Sequence, residues 1–145
     1  MGTYQSRKDE ENQSLVMGRL EDLWGVSIIG LPVTSKIDAI AHEDGQAKAV
    51  IEIKVREYSL KEVERFGDIY VDRSKIAAGQ TMAKMLAIKF LFVVKLTDRL
   101  LCLAINPDFD LSELRSTVSR LNKPRDMNDE DDVVRIPIHK FKVIE

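Results

Sequence analysis

Asp38, Glu52 and Lys54 are the residues of this chain whose types and spacing could do chemistry. Asp38 follows an apolar position in Ser35-Lys36-Ile37-Asp38-Ala39-Ile40, and Glu52-Ile53-Lys54 lies inside the strand-like run Ala49–Val55. Two carboxylates and one ammonium on neighbouring strands can hold a divalent cation and activate a water beside it. The reaction that needs this set is phosphodiester hydrolysis, which develops negative charge on the nonbridging and leaving oxygens. Mg²⁺ prefers hard oxygen ligands. Asp38 and Glu52 would supply carboxylates, and the backbone carbonyl of Ile53 lies between the two functional side chains. Lys54 could orient the nucleophile and stabilise it electrostatically.

Glu-x-Lys alone is what any amphipathic strand shows, because alternate residues face opposite sides of a sheet. Ile51, Ile53 and Val55 share one face; Glu52, Lys54 and Arg56 share the other. Asp38 decides between the two readings, through the register of the hairpin around Asp44-Gly45. An odd number of loop residues pairs even positions with even, putting Asp38 with Glu52 and Lys54. A two-residue turn slips the register by one and sends Asp38 to the opposite face. A three- or five-residue loop with Gly45 in a left-handed conformation is therefore expected.

The surrounding pattern gives the elements that must position these residues. Lys8 to Trp24 reads as a helix with Val16, Leu20, Leu23 and Trp24 on one stripe and Gly25 as its stop. Val26 to Ala41 reads as one bent strand or two short ones, interrupted by Gly30 and Pro32. Leu60 to Arg65 is a short helix, and Asp72 to Ile88 a longer one whose Ala77-Ala78-Gly79 allows close approach to a sheet. Phe90 to Leu96 is a continuous apolar run, as in a strand covered on both faces. Arg99 to Ile105 is its hairpin partner and contains Cys102, expected to be a buried thiol. Leu111 to Leu121 reads as a helix, Asn122 to Asp132 as a polar loop, and Val133 to Ile144 as a last strand region with Pro137 marking an edge. This order predicts an α/β or α+β fold: a mixed sheet with helices on its faces.

At 145 residues the chain is expected to form one domain spanning 1–145. No apolar run approaches a membrane span. The polar N-terminus and single cysteine fit a cytoplasmic protein. The net charge of −2 gives no hint of nucleic acid, but Lys54 to Lys95 holds nine basic residues against five acids. A basic middle in an acidic chain permits phosphate contacts there. His42 and His139 have no partner at zinc-site spacing. Gly-rich phosphate loops and Ser or Cys nucleophile motifs are absent. The acidic run from Asp126 to Asp132 lacks the glycine and spacing of a Ca²⁺ loop.

Asp38, then Glu52-Ile53-Lys54, followed by a helix and an apolar central strand, resembles the PD-(D/E)XK nuclease superfamily, over roughly Glu10 to Ile105. The resemblance implies a restriction-endonuclease-like core of order α-β-β-β-α-β. It implies Mg²⁺, with Mn²⁺ able to substitute, bound by Asp38 and Glu52, and catalysis by Lys54. The substrate would be DNA, with RNA not excluded, cut in a structure-directed or repair role. Resolvases of this resemblance act as homodimers. Ile37 stands where the motif's proline would be. A first-helix glutamate often completes the site in such enzymes, and Glu11, or else Glu10, is the candidate. A Lys or Gln in the following helix is the counterpart of Lys75 or Gln80, which with Arg56 are candidate nucleic-acid contacts. The competing reading is a catalytically inactive nucleic-acid-binding or assembly module on the same fold.

Overall fold

A computed structural model describes residues 4–32, 35, 37–119 and 131–145. Along the chain run α1 (Tyr4–Trp24), β1 (Ser27–Gly30), β2 (Ala39–Glu43), β3 (Gln46–Val55), α2 (Leu60–Phe66), β4 (Asp68–Asp72) and α3 (Arg73–Leu86). There follow β5 (Lys89–Lys95), β6 (Leu100–Ile105), β7 (Arg115–Ser119), β8 (Asp131–Pro137) and β9 (Lys142–Val143). The main sheet has the order β1-β2-β3-β5-β6-β9, and a smaller sheet the order β4-β8-β7. Among the described residues only β3 and β5 pair in parallel; their crossover carries α2, β4 and α3. The mixed sheet with helices on its faces is thus the architecture expected from the sequence.

Local chemistry explains where the helices stop and start. Gly25, at φ +65°, ends α1 with its N–H donating to the Glu21 carbonyl at 2.9 Å. Ser59 and Glu62 form a reciprocal capping box at the start of α2, and Gly67 at φ +90° closes it. The Asp72 carboxylate caps α3 by accepting from the Ser74 N–H.

The sheet is buried on both faces. Ala39, Ala41, Ala49, Ile51, Ile53 and Val93 pack with Val16 and Leu20 of α1. On the other face Val50, Phe90, Phe92 and Val94 pack with Ile76 and Ala83 of α3, Ile69 and Val71 of β4, and Val134 and Ile136 of β8. A Cβ on Gly79 would lie 2.2 Å from Cζ of Phe90, so the α3 backbone seats directly on that ring. Leu23, expected on the core stripe of the first helix, is exposed. Cys102 is half-buried, and burial pushes its thiol up to about 11.

Three expectations are corrected. Leu111 to Leu121 is not a helix: a single 3-10 turn at Leu111–Glu113 leads into β7, whose Thr117 and Val118 suit a strand, while residues 120–121 lie outside the described set. Pro137 does not mark an edge strand, because β8 is the middle strand of its sheet. The last β7–β8 pair is Arg115–Arg135, so at Pro137 only β4 remains alongside and the missing N–H costs little. β4 itself was not anticipated, although its buried Ile69 and Val71 alternate with Asp68, Tyr70 and Asp72. Most of the loop expected at 122–132, including the acidic run from Asp126, also lies outside the described residues. Among the described residues, no helix is long and apolar enough to cross a membrane.

Candidate active site

The hairpin joining β2 to β3 sets the site. Its turn has two residues, Asp44 at φ +52° and Gly45 at φ +76°, the left-handed pair of a type I′ turn. The expected three- or five-residue loop is therefore wrong. Glu43 pairs with Gln46 and His42 with Ala47, a register that would put Asp38 on the face away from Glu52. Between Ala41 and His42 the register shifts: Ala41 pairs with Ala49, Ile40 with Val50 and Ala39 with Ile51. Lys48 is the extra residue of a β-bulge. It restores even-with-even pairing, and the next position in line with Glu52 is Asp38.

The two carboxylates accordingly meet. The Ile53 N–H donates to Oδ2 of Asp38 at 2.7 Å, which fixes the aspartate at the mouth of β3. Gln13 of α1 reaches Oδ1 of Asp38 at a longer 3.4 Å. Both main-chain groups of a strand residue point toward the same neighbour. The Ile53 carbonyl therefore also lies on the β2 side, beyond Ala39, the last β2 residue paired with β3.

Glu52 is the most unusual residue in the core. Only 1% of it is exposed, and neither carboxylate oxygen accepts a hydrogen bond. Nζ of Lys75, in the first turn of α3, is 3.8 Å from its Oε2. Burial, and then the neighbouring Asp38 charge, push the Glu52 carboxyl up to about 8, against the opposing pull of Lys75 and Lys54. Lys54 is held below the ordinary lysine value, first by burial and then by the charge of Lys75. These mutual effects place Asp38, Glu52, Lys54 and Lys75 in one electrostatic cluster. The solvated-strand explanation of Glu-x-Lys does not survive, since a solvated glutamate would not be enclosed with Val50 and Phe92 on its face.

Asp38 and Lys75 open onto a cleft of about 460 Å³, walled by Glu10, Gln13 and Met17 of α1 and by Gly30, Leu31, Pro32 and Ser35. Glu10 lines this cleft, and Glu11 does not; Glu11 is exposed. Glu10 and Gln13 are three residues apart, hence on one helix face, whereas Glu11 is turned about 100° away. Gln13 is the site residue that sequence reasoning missed, and its spacing from Glu10 was the signal. Arg56 lies just past the end of β3; its guanidinium donates to the carbonyls of Tyr70 at 2.8 Å and Val55 at 3.2 Å. Gln80 is elsewhere. It is buried, and its Nε2 donates to the carbonyls of Asn106 and Phe109 at 3.1 and 2.9 Å. That amide ties the segment after β6 to α3 and does not face the cleft. Among the described residues, no three His, Cys, Asp or Glu side chains gather as a metal cluster. The acidic donors that do converge are Asp38 and Glu52.

A carboxylate pair at the open end of a β-hairpin, a lysine two residues along the second strand, and a parallel crossover through a helix define an endonuclease core of the PD-(D/E)XK type. The chain belongs to the family described as "Phage putative PDDEXK endonuclease", whose model matches residues 2–144. No curated protein matches the chain in sequence. Among solved structures it is similar to Hjc of Archaeoglobus fulgidus, a Holliday junction resolvase from an archaeal hyperthermophile. The two are 16% identical over 84% of this chain and 87% of that one, with a TM-score of 0.49.

Proposed function

We propose that this chain is a Mg²⁺-dependent endonuclease that hydrolyses phosphodiester bonds of DNA in a structure-directed or repair role. The observation that carries the reading is Glu52: a carboxyl with 1% exposure whose oxygens accept no hydrogen bond, beside Asp38 and with Lys75 no nearer than 3.8 Å. A fold keeps so unfavourable a group when a cation is to complete it. The donor set fits Mg²⁺ and Mn²⁺: Asp38, Glu52 and the Ile53 carbonyl are hard oxygens, with Asp38 lining the cleft and Glu52 buried behind it. Glu10 is the first-helix acid placed to reach the same cleft. When bound, the cation would offset the charge developing on the phosphate and acidify water at the site.

The protein's own groups do the rest. The Ile53 N–H holds the Asp38 carboxylate in one orientation. Lys54, its pKa lowered by burial and by Lys75, carries a proton at Nζ that it releases more readily than a solvated lysine. It can therefore orient an attacking water and stabilise the charge that develops on it. Lys75, at the cleft wall, offers its ammonium to a phosphate oxygen while pairing with Glu52. Arg56 extends the line of positive charge along β3. A homodimer would bring two such centres to two strands.

The test is cleavage of supercoiled and branched DNA, with an RNA control, in Mg²⁺ or Mn²⁺. Glu52→Ala and Lys54→Ala should each abolish cutting. Calorimetric titration of Mn²⁺ without substrate should show binding that Asp38→Ala removes. Undiminished cleavage by the Glu52 and Lys54 variants would end the proposal.

A further inference from the structure

Next to the catalytic strand lies a second cavity, of about 500 Å³. Its walls carry three large aromatic side chains from three elements. Tyr58 precedes α2, Phe66 ends it, and Tyr70 lies on β4. All three are exposed, at 43, 54 and 42%. They are organised rather than scattered: Tyr58 and Phe66 pack edge to face with centroids 5.1 Å apart, and the Arg135 guanidinium lies 5.1 Å from the Tyr70 ring centre. Solvent-exposed aromatic faces collected around one cavity are a recognition surface more often than an accident of packing.

The charges in the cavity say what kind of ligand fits. Arg56 supplies one cation and Asp68 one carboxylate, and the carboxylate is already paired with Nε of Arg135 at 3.2 Å. A phosphate would gain little from so balanced a lining. A flat, neutral, polar-edged ring would gain stacking from the tyrosines and the phenylalanine and hydrogen bonds from the rim. The position is also set. Glu52 and Lys54 share a face of β3, and Arg56, the residue just past its end, lies at most about 13 Å along the chain from Glu52 at ~3.3 Å per residue. A nucleotide close to the scissile phosphate could therefore place its base here only if that base has left the stack.

We infer that the Tyr58–Phe66–Tyr70 cavity is a stacking pocket for an unpaired nucleobase beside the cut. The site thereby selects DNA with single-stranded or unstacked character, such as a flap, gap or branch. This inference rests on the nuclease reading above and narrows its substrate.

The experiment uses Glu52→Gln protein, so that substrate is not consumed, and a fluorescein-labelled flap beside a blunt duplex of the same sequence. Tyr58→Ala, and separately Phe66→Ala, should weaken flap binding about tenfold, the order expected for one lost stacking partner, and leave blunt-duplex binding unchanged. Tyr58→Phe should bind like the parent, which separates stacking from folding. With 2-aminopurine placed singly along the flap strand near the junction, one position should be quenched on binding and recover in Tyr58→Ala. Equal flap affinity in parent and alanine variants, or no quenching at any position, overturns the pocket, including the case where it serves a protein partner instead. That failure is distinct from failure of the nuclease reading, in which unsubstituted protein with Mg²⁺ cuts no DNA of any form.

Discussion

Replacing Glu52 by glutamine should make the protein more stable and inactive, and the stability gain should depend on pH in one direction. The carboxyl has an ordinary value of 4.5 and is raised to about 8 in the fold. At 1.36 kcal/mol per pKa unit, this corresponds to about 5 kcal/mol of destabilisation from ionised Glu52, to order of magnitude. The sign follows from proton counting. Between pH 4.5 and 8 the folded state holds a proton that the unfolded state has released, so stability falls as pH rises through this window. The penalty is absent below 4.5 and complete above 8. Glutamine keeps the shape and carries no charge, so it escapes the penalty.

Thermal melts in EDTA at pH 5, 7 and 9 provide the assay. For a domain of this size, 1 kcal/mol moves Tm by roughly 2–4 °C. Glu52→Gln should melt close to the unsubstituted protein at pH 5 and on the order of 10 °C above it at pH 9. Adding Mn²⁺ at 100 times its Kd should then raise the unsubstituted protein by about 2.7 kcal/mol and leave the glutamine variant nearly unmoved. A variant no more stable than its parent at pH 9, with no divergence between pH 5 and 9, would refute the reasoning. It would mean that the Glu52 carboxylate is already compensated within the protein and is not held in reserve for a cation.

Three further outcomes are expected. Deleting Lys48 removes the bulge but makes the His42–Ala47 and Ala41–Ala49 pairs consecutive, so Asp38 stays opposite Glu52 and cleavage should survive in a plasmid assay; loss of cleavage by a folded variant would show that the site is not set by this pairing. Gly79→Ala drives a Cβ to 2.2 Å from the Phe90 ring and should destabilise by about 1–3 kcal/mol, with recovery in the Gly79→Ala, Phe90→Leu double variant, measured by urea denaturation. Gln80→Ala leaves the Asn106 and Phe109 carbonyls without their donor and should cost about 1–3 kcal/mol. DNA affinity should not change in Gln80→Ala, whereas a phosphate contact would weaken it.

How much of this was legible in the sequence differs from element to element. The long apolar run at β5, the stop at Gly25 after α1, and the alternation in β3 are local signals, and each produced the element it predicted. β7 and β4 depend on each other through β8, a pairing between segments some sixty positions apart, which no local pattern encodes. The site was legible in part. Glu52 and Lys54 share a face by strand period alone. That Asp38 joins them required a bulge at Lys48, and nothing about a lysine in a polar turn region announces one. The two-residue turn, taken alone, predicted the opposite of what the chain does. The burial of Glu52 was equally hidden, because it is produced by α2, β4 and α3 folding over a strand face that reads as hydrophilic.

That covering layer is also what makes the site work. Lys75 and Gly79 are four residues apart on α3, hence on one face of the helix. Gly79 seats the helix backbone on Phe90 of β5, and β5 is the parallel neighbour of β3, with Phe92 level with Glu52. The missing side chain at Gly79 therefore brings the first turn of α3 down to the sheet, and with it the Lys75 ammonium to 3.8 Å from Glu52. Lys75 and Lys54 reduce the cost of ionising Glu52 but leave it incompletely offset, since the carboxyl still sits well above its ordinary value. A site compensated fully by the protein would have little to gain from a cation, and one compensated less would hold the Glu52 proton to still higher pH and against a binding cation. The close seat of α3 sets the balance between these limits, which ties a glycine with no chemistry of its own to the reactivity of the acid one layer away.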